Sequence, residues 1–457
     1  MEIPRIMIAA GSSGSGKTTI TCGLLQAFKN CGLKAVSFKC GPDYIDPLFH
    51  KMVLGIPSKN LDTFFAPPVL VRQLMAETAS YADIAVIEGV MGYYDGAGIT
   101  THTASSYELA NVTDTPVILI VNAHGMGISV IPYIKGFLEY KTPSGIKAVI
   151  LNQVSGAIYK ELKPLIEEAG IIAAGYLPVM PECYLESRHL GLVLPSESES
   201  IKKKINNIAI KIEECIDIHK IISIAKSAPG LDIKPVETMP VCSYGKIHIG
   251  IAMDEAFCFY YEDNLKLLEK FGAELVYFSP LHDKQLPAGI DGCIFGGGYP
   301  ELYLKGLSSN TSMLNSVKQA LTVQQMPYIA ECGGFLYLHE NMEDTCHNNY
   351  NLAGVIHANA IYKGKLQRFG YVTLSPAGCA SGKNNRIKAH EFHYYDSTDN
   401  GKSYIATKPF RNKQWECIHK NGQGFAGFPH LYFYSCLDFA REFARKCLNY
   451  SLSRNDC

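Results

Sequence analysis

Eight residues near the amino terminus, Gly11-Ser12-Ser13-Gly14-Ser15-Gly16-Lys17-Thr18, fit the pattern G-x-x-x-x-G-K-[ST] without a mismatch. Glycines in such a loop let backbone N–H groups converge on phosphate oxygens, and the helix that follows favours their negative charge. Lys17 is placed to reach the terminal phosphates of ATP, and the Thr18 hydroxyl to sit on Mg²⁺. An ordinary Gly/Ser turn is the bland alternative, but the run follows an apolar strand and opens a helix, the context that raises the motif above chance. Phosphate chemistry with magnesium also needs carboxylates. Asp43 and Asp46 lie in Lys39-Cys40-Gly41-Pro42-Asp43-Tyr44-Ile45-Asp46-Pro47, Glu88 ends the apolar run Ile84–Ile87, and Asp95 follows in a Gly/Tyr loop. An Asp in a Gly/Pro loop is more often a turn or cap than a ligand, so spacing assigns none of them by itself.

A second chemistry is written near position 332. Pro327-Tyr328-Ile329-Ala330-Glu331-Cys332-Gly333-Gly334-Phe335 reads as a strand, a sharp turn and a helix, with a thiol at the corner. This is a cysteine version of the nucleophile elbow, and the helix start favours the thiolate. Upstream, Phe295-Gly296-Gly297-Gly298-Tyr299-Pro300 follows another strand and offers backbone donors for an oxyanion. The base is His430 on this reading, with His390 and His393 as rivals; a single His is more often a packed or surface side chain.

These residues need rigid carriers. In the first half, strands are expected at 5–10, 34–39, 83–88, 116–121, 147–151 and 171–177, alternating with helices near 17–30, 69–79, 158–169 and 196–214. That is the signature of a parallel sheet covered on both faces. Pro229, Pro235 and Pro240 mark a linker, so the expected domains are 1–226 and 246–457, joined by 227–245. The second domain restarts the alternation, with strands at 247–252, 274–278, 291–295 and 327–331 and helices at 260–271 and 313–325. Past residue 351 the segments turn short and β-rich. The fold class is therefore two α/β domains.

Composition narrows the field further. Of 457 residues 47% are hydrophobic and 19% charged, ample for buried cores. Forty-two basic against 43 acidic residues give a net charge of −1, which offers no global pull on nucleic acid or an anionic membrane. No apolar run is long enough to span a bilayer and no secretory signal opens the chain, so a cytoplasmic protein is expected. The 15 cysteines include no Cys-x-x-Cys pair, which leaves them as small apolar residues, Cys332 excepted.

Taken together, the two halves resemble the cobyrinic acid a,c-diamide synthase family, ATP-dependent amidotransferases of corrinoid synthesis, over essentially the whole chain. The first half is similar to dethiobiotin-synthetase-like P-loop ATPases and the second to class I glutamine amidotransferases. The stretches that carry this are Phe38–Pro47, Glu88-Gly89-Val90-Met91-Gly92, Arg188-His189-Leu190-Gly191-Leu192 and His390-Glu391-Phe392-His393, in that order. The resemblance implies that Cys332 attacks L-glutamine with His430 assisting and Gly297 and Gly298 forming the oxyanion hole. It implies nucleotide binding by Gly11, Gly14, Gly16, Lys17, Thr18 and Thr19; Asn152, just after the strand at 147–151, is the expected residue toward the adenine. Thr18, Asp46 and Glu88 are implied as Mg²⁺ ligands, and Asp43, Tyr44 and Asp95 as contacts to the tetrapyrrole acceptor. No flavin, haem or zinc is implied, and a homodimer is compatible. Asn122 stands where the family strand commonly ends in Asp. Tyr432 stands two residues after His430, where many class I amidotransferases carry Glu, so the implied glutaminase is a Cys–His dyad whose orienting group the sequence does not identify. Alternative acceptors are nickel sirohydrochlorin and hydrogenobyrinic acid. A partition-type switch ATPase is the remaining rival; such proteins carry a second Lys early in the loop, where this chain has Ser12.

Overall fold

Short runs in the first half, mostly apolar apart from the polar edge strand β3, build the strands of one parallel sheet: β1 (Arg5–Ala10), β2 (Ala35–Cys40), β3 (Ser58–Leu61), β4 (Ile84–Glu88), β5 (Val117–Asn122), β6 (Ile146–Asn152) and β7 (Ile172–Leu177). Its order is β3-β2-β4-β1-β5-β6-β7. Every residue of β1 and β4 is buried, as expected where helices cover both faces. The computed structural model describes residues 1–183, 195–233, 246–378 and 385–455. The stretch Arg188–Leu192 and most of the expected linker lie outside them.

The chain divides into two compact units, Met1–Val236 and Glu237–Cys457. In the first, the helix Ile218–Lys226 packs Ile221 and Ala225 into the core, and Leu231 N–H closes on the Met1 carbonyl at 2.9 Å. The helix Lys17–Asn30 lies against Pro195–Cys215, where a Cβ on Gly23 would meet Ile208 and Ile212. The helices Ser106–Val112, Val130–Glu139 and Ile218–Lys226 were not expected from the pattern; the first two are short and interrupted by small or polar residues.

The second unit has a parallel sheet of β8 (Ile247–Ala252), β9 (Ala273–Phe278), β10 (Gly292–Phe295), β11 (Tyr328–Glu331) and β18 (Gly424–Gly427), in the order β18-β11-β10-β8-β9. A second sheet joins β12 (His339–Glu343), β13 (Asn349–Asn351), β14 (Ile356–Pro376), β15 (Ile387–Ser397) and β19 (His430–Leu431), with β16 (Tyr404–Thr407) and β17 (Gln414–Cys417) alongside. The segments expected to be short include one long strand, β14. The helix expected over 313–325 is α-helical at Thr311–Lys318 and loosens into a π turn at Gln319–Val323. Among the described residues no helix is long and apolar enough to cross a membrane.

Candidate active site

The phosphate loop joins β1 to its helix. Gly14 and Gly16 have φ of +76° and +95°, a left-handed geometry that strains any residue with a Cβ. Asn152, at the end of β6, donates from Nδ2 to the Ser15 carbonyl at 2.9 Å, and a Cβ on Gly16 would collide with that amide. Gly11 lies against Tyr133, leaving no room for a side chain there. Lys17 Nζ donates to the carbonyls of Ser12 (3.0 Å) and Met91 (2.6 Å). Burial, together with the nearby Lys39 cation, lowers its pKa to about 8. Thr19, next on the helix, is half-buried.

Adjacent strands deliver the carboxylates. Lys39 and Glu88 are register partners on β2 and β4, so both emerge at the carboxyl edge of the sheet, where open α/β sheets bind ligands. Thr18 Oγ1 donates to Glu88 Oε1 at 2.6 Å. Lys39 Nζ donates to the same oxygen at 2.9 Å and forms a closer ion pair with Asp46; Asp43 lies 3.9 Å away. Burial would raise the Asp46 carboxyl, but the Lys39 ammonium holds it below the usual range. Glu88 is pushed up to about 7, by burial first and then by Asp46. Asp43 doubles as a local cap, accepting from the N–H groups of Ile45 (2.8 Å) and Asp46 (3.3 Å). Tyr44 is buried beside it. Asp95 accepts from Gly92 N–H at 3.0 Å, on the loop that supplies the Met91 carbonyl.

Among the described residues no three His, Cys, Asp or Glu groups form a ready-made metal cage. The donor set nevertheless suits a hard divalent cation: the Thr18 hydroxyl and the Asp46 and Glu88 carboxylates are all oxygens. Glu88 also keeps one buried oxygen, Oε2, without a hydrogen-bond partner among the described residues. It faces His50 Nε2 across 3.7 Å, and burial lowers the pKa of that imidazole to about 4, so the ring is neutral near pH 7 and forms no ion pair with the carboxylate.

In the second unit Cys332 sits between β11 and the helix Gly333–Tyr337 with φ 46° and ψ −103°. Such a conformation is strained for any residue but glycine and turns the side chain out of the strand. Two close approaches hold it. Cys332 N–H donates to the Gly427 carbonyl at 2.9 Å, and Gly334 N–H to the Gly296 carbonyl at 2.9 Å. A Cβ on Gly334 would enter the Phe295 carbonyl. Gly298, φ +156°, places its N–H near Gly333, while Gly297 lies so close to the His430 ring that a Cβ there would run into it. His430 is buried and hydrogen-bonded to Cys332. Burial opposes its cationic form, but the Cys332 sulfur and the Glu331 carboxylate outweigh it and bring the pKa up to about 10.

The tertiary structure thus brings together Cys332, His430, Gly297 and Gly298 in one unit, and Lys17, Thr18, Asp43, Asp46 and Glu88 in the other. It separates the rival bases. His393 is stacked on Phe428, 3.8 Å between centroids, and hydrogen-bonded to Glu391. His390 is register partner to His430; burial and then the His430 cation lower its pKa to about 3. Two residues escaped the sequence reading. Lys39 is the cation at the centre of the carboxylates; like Glu88, it is a charged residue near the end of an apolar strand. Glu331, immediately before the nucleophile, lies with Oε2 3.7 Å from His430 Nδ1, and its Oε1 accepts the Leu431 N–H at 3.3 Å. A charge ending the run Tyr328–Glu331 was the available signal.

Comparison with known proteins agrees with this division. Residues 6–222 match the CobQ/CobB/MinD/ParA nucleotide binding domain, and residues 248–436 the CobB/CobQ-like glutamine amidotransferase domain. The cobyrinate a,c-diamide synthase of Caldanaerobacter subterraneus subsp. tengcongensis is 39% identical over 97% of this chain and 98% of its own. Those of Priestia megaterium and Thermoplasma volcanium are 36% and 35% identical, over 100% and 99% of both chains.

Proposed function

The chain belongs to the cobyrinate a,c-diamide synthase family, and from that premise we propose how its residues divide the labour of an ATP- and glutamine-dependent carbon–nitrogen ligase. The acceptor is cobyrinate, amidated at its a and c side-chain carboxylates. A carboxylate is a poor acyl donor, so ATP first phosphorylates it, giving an acyl phosphate and ADP. The phosphate-loop N–H groups and Lys17 hold the triphosphate and neutralise charge as the γ-phosphoryl group moves. Thr18, Asp46 and Glu88 would hold Mg²⁺, which when bound supplies further neutralisation of the phosphates. Lys39 keeps the Asp46 and Glu88 carboxylates together before ligands arrive, and Asp43, Tyr44 and Asp95 face the acceptor.

In the glutaminase unit the Cys332 thiolate attacks the side-chain amide carbon of glutamine. The backbone N–H groups around Gly297 and Gly298 stabilise the oxyanion, and His430 gives its proton to the departing ammonia. Water then releases glutamate from the thioester, with His430 as base. Ammonia displaces phosphate from the acyl phosphate to form the amide. Protonated ammonia is inert, so a sheltered transfer that keeps it unprotonated is expected.

The observation that carries this reading is the strained Cys332 elbow with His430 hydrogen-bonded to it. The test incubates the protein with ATP, Mg²⁺, glutamine and cobyrinic acid and follows product mass. The expected result is two added amides, with Cys332→Ala working from ammonia but not from glutamine. Amidation of nickel sirohydrochlorin or hydrogenobyrinic acid alone would keep the chemistry and change the acceptor. Glutamine hydrolysis intact in Cys332→Ala would sink the nucleophile assignment.

A further inference from the structure

The buried side of the carboxylate cluster in the first unit holds two polar atoms that the scheme above leaves unused. Glu88 Oε2 and His50 Nε2 are both buried without a hydrogen-bond partner among the described residues, and they face each other across 3.7 Å. That separation is about half an ångström beyond a hydrogen bond's reach. The other carboxylate oxygen is already committed: Glu88 Oε1 accepts from Thr18 Oγ1 at 2.6 Å and from Lys39 Nζ at 2.9 Å. A carboxylate oxygen has two lone-pair sites, so Oε2 can take one donor and still meet a cation.

Neighbouring elements fix the imidazole. On β2, Ser37 and Lys39 are two residues apart and share a face, opposite Val86 and Glu88 of β4. The helix Ile45–Phe49 carries Asp46 to Lys39 and, one turn later, His50 to Ser37. His50 opens a π turn, His50–Leu54, a departure from α geometry that recurs at functional sites. The ring is fully buried, with Nδ1 3.0 Å from Ser37 Oγ. A neutral imidazole carries one N–H and one lone pair. With the proton on Nδ1, the Ser37 hydroxyl hydrogen would find no acceptor among the described residues, and a lone pair on Nε2 would confront the carboxylate. With the proton on Nε2, Ser37 donates to Nδ1 and the ring N–H faces Glu88 Oε2. An unanswered buried donor is costly, so the surroundings select the second tautomer.

We propose that His50 is a positioning residue for the metal carboxylate: its Nε2–H closes on Glu88 Oε2 as a divalent cation binds, and so fixes how that carboxylate meets the cation. This rests on the reading of Glu88 as a Mg²⁺ ligand.

Two measurements on the full chain test it. The first is the tautomer in ligand-free wild type, read from the nitrogen NMR shifts of the ring and assigned by the signals missing in His50→Gln. A protonated Nε2 is expected; a proton on Nδ1 would overturn the proposal. The second is calorimetry with a non-hydrolysable ATP analogue, as the ratio of its affinities with Mg²⁺ and in excess chelator. That ratio does not depend on how much of a variant is folded. His50→Leu should lower it by about 10- to 100-fold, the scale for losing the hydrogen-bond partner of a metal ligand. His50→Gln, which keeps an N–H donor, should recover most of the loss. A ratio unchanged in His50→Leu, or lowered equally in both variants, would mean that the ring merely packs beneath the carboxylates and would overturn the proposal. A wild-type protein whose nucleotide affinity ignores Mg²⁺ would instead remove the underlying reading of Glu88.

Discussion

Glu331 and Glu88 show how burial and neighbouring charge set the working state of single groups. Glu331 faces Nδ1 of His430, and its carboxylate is one of the groups that raise the imidazole pKa to about 10. Glu331→Gln should therefore lower the His430 titration midpoint, read by carbon NMR of the ring, and slow glutamine hydrolysis by about 10- to 100-fold, the scale of a lost charged hydrogen bond. A midpoint that stays put would remove Glu331 from the orienting role. Glu88 runs the other way. Its carboxyl is raised from 4.5 to about 7. Between those values the folded chain holds a proton that the unfolded chain has lost. This group's contribution to stability therefore falls as pH climbs through that window. Ligand-free protein should show this slope in denaturant titrations, and Glu88→Gln should flatten it. ATP with Mg²⁺ should bind more tightly as pH rises through about 7, measurable by calorimetry.

At the scale of elements, both sites are built where a strand ends and the next turn has no room for side chains. Gly297 follows β10 and lies against the His430 ring. Gly297→Ala should cut glutamine hydrolysis by about 100-fold through a displaced imidazole, since such chemistry tolerates about an ångström of misplacement poorly. ATP-dependent amidation from ammonia serves as the control in the same preparation, and an unimpaired glutaminase would show that the ring can yield. Register does the corresponding work in the first unit. Because β2 and β4 are neighbours, Lys39 and Glu88 meet although 49 positions separate them. That pairing was not visible in the sequence, where Lys39 is simply the last charged residue before a Gly/Pro loop.

For the whole molecule, each unit has its own hydrophobic core, one around Ile8, Val86 and Ile120 and the other around Phe295, Phe335 and Phe428. Each core backs its own chemistry: ATP in the first, glutamine in the second. Differential scanning calorimetry should resolve two unfolding transitions. ATP at about 100 times its dissociation constant should stabilise the nucleotide-binding one by about 2.7 kcal/mol. A single transition that shifts as a whole with ATP would mean that the units unfold as one.

The sequence alone determined the phosphate loop, the cysteine elbow and most strands of the two parallel sheets. These are local: the loop and the elbow are contiguous motifs, and a strand buried on both faces must read as an unbroken apolar run. The choice among His390, His393 and His430, the place of Glu331 beside the imidazole and the Lys39 cation among the carboxylates were decided only by the tertiary structure. Each depends on which strands become neighbours and in what register. A charged or imidazole side chain looks the same in sequence whether it meets water, a ring or an opposite charge.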